Sequence, residues 1–121
     1  MRAKAIAFRA AAAAILCSVS AHGFAQGLGP GMQSCAEFSR LYATNPTGAE
    51  DLFYTWAQGF MSALNLSFVS TTGAYRFVDP NAMAVYKLRL RSYCDANPPS
   101  QYMQAVMDLY NSLLPALSNP K

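Results

Sequence analysis

Four stretches of this chain carry apolar residues at steps of three or four, the repeat of an amphipathic helix. The first opens at Ser34-Cys35-Ala36-Glu37, a capping box in which the Ser34 hydroxyl accepts from the Glu37 amide and Glu37 reaches back. Cys35, Phe38 and Leu41 or Tyr42 then share a side, and Asn45-Pro46-Thr47-Gly48 is a turn signal that ends the helix by Thr44. The second starts at Glu50 and Asp51, whose charge suits a helix N-terminus, and its core stripe is Phe53, Trp56, Phe60 and Leu64. Ser70 to Val78 reads as a loop broken at Thr71-Thr72-Gly73. Asp79-Pro80 then caps a third helix with Met83, Tyr86, Leu90 and Tyr93 or Cys94 on its inner face. Asn97 to Ser100, with two prolines, separates it from a fourth, with Asn97 as a capping residue. That helix carries Tyr102, Val106, Leu109 and Leu113 and stops at Pro115. No stretch alternates convincingly as a strand. The pattern predicts an all-α protein, a small four-helix bundle whose short loops favour antiparallel neighbours.

The first 33 residues do not share this pattern. Arg2, Lys4 and Arg9 precede a short uncharged run from Ala10 to Val19, and Gly23 and Ala25 place small residues ahead of a cut. These are the three parts of a secretory signal peptide, cleaved after Ala25 or, as the alternative, after Ala21. The predicted organisation is signal peptide 1–25, flexible arm 26–33, helical domain 34–115 and tail 116–121. The expected location is the periplasm or outside the cell. Leu52 to Tyr75 holds no charge, but Gln58, Ser62, Asn65, Ser67 and Ser70 argue against a membrane span.

Export changes both the cysteine count and the charge. Cys17 leaves with the signal, so Cys35 and Cys94 remain as an even pair in an oxidising compartment and are expected to form a disulfide, with two reduced buried thiols as the alternative. The bridge would close a loop of about 60 residues, stabilising a small domain by roughly 4 kcal/mol. Arg40, Arg76, Lys87, Arg89, Arg91 and Lys121 are matched in number by Glu37, Glu50, Asp51, Asp79, Asp95 and Asp108, so the mature chain is neutral on balance. That leaves little for a nucleic-acid-binding surface. Lys87 and Arg91 share a helix face that is expected to be solvated.

Candidate chemistry is sparse. His22, the one histidine, goes with the signal under the preferred cut, and two cysteines are half a zinc set, so no metal or other cofactor is expected. Most of the six acids fall at helix starts or on polar faces, which argues against a paired-carboxylate site and against an enzyme. Asn65-Leu66-Ser67 matches the glycosylation triplet but lies within a helix. Thirteen aromatic residues remain, more than a bundle of this size can bury completely, so some tyrosines are expected at the surface, where such rings suit a protein partner.

Three pieces carry a family resemblance. SCAEF at 34–38, GFMSALN at 59–65 and YCDANP at 93–98 resemble the HdeA/HdeB family of periplasmic acid-stress proteins. The resemblance implies a small helical domain clipped by Cys35–Cys94. It also implies an ATP-independent activity in which the protein partly unfolds in acid and holds unfolding clients in solution, and a homodimer is a further possibility. This chain has fewer lysines and acids than such proteins, and Leu66 to Val78 is extra length. WAQGF at 56–60 and YCDANPPSQYMQAV at 93–106 are similar to a second group, immunity proteins that bind and block type VI secretion amidases.

Overall fold

The computed structural model describes residues 27–118. The predicted signal peptide, with Cys17 and His22, lies outside them, as do the last three residues of the tail. Four helices make up the fold: α1 (Cys35–Thr44), α2 (Pro46–Thr72), α3 (Met83–Ala96) and α4 (Tyr102–Ser112). Two short strands, β1 (Ala74–Arg76) after α2 and β2 (Pro115–Leu117) after α4, pair antiparallel with Tyr75 opposite Ala116. The ribbon departs from the expectation of a loop followed by a tail, and it is too short to show as alternation. No helix among the described residues is long and apolar enough to cross a membrane.

Cys35 and Cys94 form a disulfide, with Cα atoms 4.7 Å apart, joining the first turn of α1 to the last turn of α3. The segment after Cys94 also caps α1. The first amides of a helix have no partner within it. Here the Cys35 N–H donates to the Ser100 carbonyl at 2.7 Å and the Ala36 N–H to the Pro98 carbonyl at 2.9 Å. The Glu37 N–H donates to the Ser34 hydroxyl at 3.1 Å. Glu37 itself does not reach back: its carboxylate turns outward to Arg40, with Oε1 2.6 Å from Nη2. Only half of the predicted capping box forms.

Helix boundaries shift in several places. Asn45 and Pro46 are the cap and first residue of α2, since Asn45 Oδ1 accepts from the Gly48 N–H at 3.0 Å. Glu50 and Asp51 therefore lie a turn inside α2. Asn97 closes α3, its Nδ2 donating to the Tyr93 carbonyl at 2.8 Å, while α4 is capped by Gln101 with Gln104. Asp79 caps a 3-10 turn, Pro80–Ala82, through the Asn81 N–H. That turn delays the start of α3, and Met83 is 45% exposed rather than in the core, its place taken by Ala82.

The core is built from Phe38 of α1, Phe53, Tyr54, Ala57 and Met61 of α2, Tyr86 and Leu90 of α3, and Tyr102, Ala105, Val106, Leu109, Tyr110 and Leu113 in and just after α4. Phe38, Phe53 and Tyr102 form a ring triad with centroids 4.8–5.0 Å apart. The buried stripe of α2 is rotated from the one expected. Phe53, Ala57 and Met61 face inward, whereas Trp56, Phe60 and Leu64, about 60° round the helix, are half-buried on its flank. The flank is covered by the stretch expected to be a flexible arm. Pro30–Met32 forms a 3-10 turn, Gly31 is buried against the indole of Trp56, and Trp56 Nε1 donates to the Leu28 carbonyl at 3.0 Å.

Candidate protein-binding surface

The second half of α2 runs without a charge into Gly73, whose positive φ of 70° ends the helix in the left-handed conformation that glycine tolerates best. The chain then reverses into β1. Asn65, one of the polar residues of α2, holds β1 by its main chain at Arg76 and also accepts from the Tyr110 hydroxyl at 2.7 Å. Burial pushes that phenol up from its ordinary value, with Arg76 acting in the opposite sense. The Arg76 guanidinium donates to the Leu113 carbonyl at 2.7 Å, closing the C-terminal end of α4. One amide and one guanidinium thus tie α2, the ribbon and α4 together.

This arrangement leaves apolar groups facing outward. Phe68 stacks on Tyr110 with centroids 6.2 Å apart. A hollow of about 190 Å³ opens beside them, lined by Phe68, Tyr75, Arg76, Tyr110 and Pro115 among others. Phe77, 52% exposed, pairs by its N–H with the Leu114 carbonyl, so the exposed side chains of Phe77, Leu114 and Leu117 belong to the same ribbon. Of the residues lining the hollow only Arg76 is charged, and its guanidinium is engaged. Such a surface can receive apolar or aromatic side chains of another polypeptide.

A second feature contradicts the expectation that Lys87 and Arg91 are solvated. Lys87 Nζ lies 3.2 Å from Asp51 Oδ1 and 3.7 Å from Glu50 Oε2, and 5.4 Å above the Tyr54 ring. Arg91 spreads over the Tyr42 ring, donates to its hydroxyl, and places Nε 3.6 Å from Glu50 Oε1. That Nε is buried without a hydrogen-bond partner. On α4, Asp108 sits 3.1 Å from Arg89. These pairs pin α3 to its neighbours, and the shift of Glu50 and Asp51 into α2 is what brings them within reach. Nothing in the sequence pattern pairs residues of α2 with residues of α3. Spacing along a single helix reports only that helix.

Among the described residues, no group of three His, Cys, Asp or Glu side chains could hold a metal ion. Of the residues singled out from sequence, Cys35 and Cys94 come together, and Phe38, Phe53, Tyr86, Leu90, Tyr102, Val106, Leu109 and Leu113 are buried in one cluster. Tyr54, Met61 and Tyr110 were missed. Tyr54 sits beside Phe53 and Met61 beside Phe60, phenylalanines that draw the choice of face, and Tyr110 lies one position from Leu109. Comparison with protein-family models, with curated proteins and with solved structures finds no match to this chain.

Proposed function

We propose that this is a small exported protein that works by binding other proteins, as a holder of partly unfolded chains under acid stress. The observation that carries the reading is the ribbon end of the bundle, where Phe68 lines an apolar hollow and Phe77, Leu114 and Leu117 are exposed on and beside the ribbon. Exposed apolar side chains of this kind mark surfaces that bind other proteins. The link to acid is net charge: at a pH low enough to neutralise the carboxylates as a class, the chain becomes strongly positive and self-repulsion favours a looser state, while the disulfide keeps the end of α3 tied to α1. The purified protein is expected to suppress aggregation of an acid-unfolded client at roughly pH 2–3, and Phe68→Lys together with Phe77→Lys, charged at that pH, is expected to abolish the effect. Absence of suppression by the unaltered protein at every pH would sink the proposal.

The hollow itself favours a second reading, that of an immunity-type inhibitor that captures one secreted enzyme at neutral pH. A concavity formed in the folded state fits a single side chain of a specific partner better than it fits a mixture of clients. Thr72→Trp, which fills the hollow, would then abolish neutral binding and spare acid suppression.

A further inference from the structure

Asp95 lies in the last turn of α3, where the helix dipole already places negative charge and a carboxylate is disfavoured. No cation among the described residues offsets it. Glu37, Glu50, Asp51 and Asp108 each pair with a lysine or arginine, and Asp79 accepts from a main-chain N–H. Asp95 accepts only from the Ser39 hydroxyl, at 3.3 Å. The cations of the described residues are all taken: Arg40, Lys87, Arg89 and Arg91 by those pairs, and Arg76 by the Leu113 carbonyl. The fold therefore holds one exposed carboxylate against its own helix and supplies no counter-charge.

Asp95 borders a hollow of about 190 Å³ between α1 and α3, which shares no residue with the one beside Phe68. Leu88, Arg91, Ser92 and Asp95 line it from one face of α3, and Phe38, Ser39 and Tyr42 from α1. Leu88, 55% exposed, stands two helical turns before Asp95, about 10 Å along the axis. The α3 wall is thus apolar at one end, and at the other it carries a carboxylate beside the Ser92 hydroxyl. Arg91 also lines the hollow, but its Nε faces Glu50 and it donates to the Tyr42 hydroxyl. The structure assigns this hollow to an arginine side chain of another polypeptide. The aliphatic stem lies along Leu88, and the planar guanidinium meets the two oxygens of Asp95. Charge complementarity selects the occupant: a carboxylate at a helix C-terminus attracts a cation and rejects an anion.

The probe is acetyl-arginine amide, with acetyl-citrulline amide as its uncharged counterpart of the same shape. Titrated at low salt into the disulfide-bonded protein, the arginine probe should shift the amide resonances of Ser39, Ser92 and Asp95, with a dissociation constant on the order of millimolar. The citrulline probe should leave them in place. Asp95→Asn keeps an acceptor for the Ser39 hydroxyl and should weaken binding at least about tenfold. Its urea midpoint should hold or rise, because a charge opposed to the dipole is gone. That readout separates a carboxylate kept for binding from one that serves the fold. Unmoved amides at about 50 mM arginine probe, equal shifts with citrulline, unchanged affinity in Asp95→Asn, or a lowered midpoint in that variant would each overturn the inference.

Discussion

The side-chain amide of Asn65 pairs with the main chain of Arg76 through both of its ends: Oδ1 accepts from the Arg76 N–H at 2.8 Å and Nδ2 donates to the Arg76 carbonyl at 2.9 Å. A helix side chain here does what a third strand would do for the free edge of β1. A hydrogen bond contributes about 1 kcal/mol net, and loss of one partner strands the other. Asn65→Leu is therefore expected to lower stability by about 2–3 kcal/mol, read from the urea midpoint. Amide exchange at Arg76 should accelerate. Unchanged protection at Arg76 would show that the amide contacts do not hold the ribbon.

Gly31 is fixed by contact with Trp56. A Cβ at that position would overlap atoms of the six-membered ring. In Gly31→Ala the 3-10 turn must lift from α2, exposing the indole and breaking the bond from Nε1 to the Leu28 carbonyl. The expected readout is a red shift of the emission of Trp56, the chain's single tryptophan, with a stability loss of about 1–3 kcal/mol. An emission spectrum identical to that of the parent would refute the contact.

The disulfide spans 59 residues of sequence separation. Replacing both cysteines by serine removes that constraint from the unfolded chain and should lower stability by about 4 kcal/mol. In a domain of this size the midpoint should fall steeply, or the folded state should be lost at 37 °C. A shift of under about 1 kcal/mol would mean that the unfolded chain is already compact without the bridge.

Two groups set opposite limbs of the pH profile. The Arg40 guanidinium, hydrogen-bonded to Glu37, holds that carboxyl below its usual range. A depressed value in the folded state gives stabilisation that is present above the usual glutamate value of about 4.3 and is lost as the pH falls from there. Arg40→Ala should flatten that part of the acid limb. Tyr102 is pushed up, mainly by burial and secondarily by Glu50 and Tyr54. A raised value gives stabilisation that is present below the usual tyrosine value of about 10 and is lost as the pH rises beyond it. Tyr102→Phe should flatten the alkaline limb. Unfolding midpoints across both ranges check the pair, and a variant profile parallel to the parent's would contradict either assignment.

Much of the helical frame was legible because it rests on local signals. Ser34 before Glu37, Asp79 before Pro80, and apolar steps of three and four in α1 and α4 each act within one turn. Pairing Cys35 with Cys94 needed only the redox setting and the count. The face of α2 was misjudged because Phe53, Trp56, Phe60 and Leu64 outweigh Tyr54, Ala57 and Met61 in bulk, and the two stripes adjoin. The candidate surface was not legible. Its strands are three residues each, their partners lie far apart in the chain, and the residue that fixes them, Asn65, sits in a helix. Ion pairs between Lys87 or Arg91 and α2 likewise depend on how the helices are set against each other.

The sulfur link makes a covalent ring of everything between Cys35 and Cys94, and α4 stands outside it although it carries Tyr102, Val106 and Leu109. Mechanical force on the two ends of the chain therefore bypasses α2 and α3, and peels away α4 first. The 59-residue detour cannot lengthen until the sulfurs part, withholding about 200 Å of extension that a reducing agent would release.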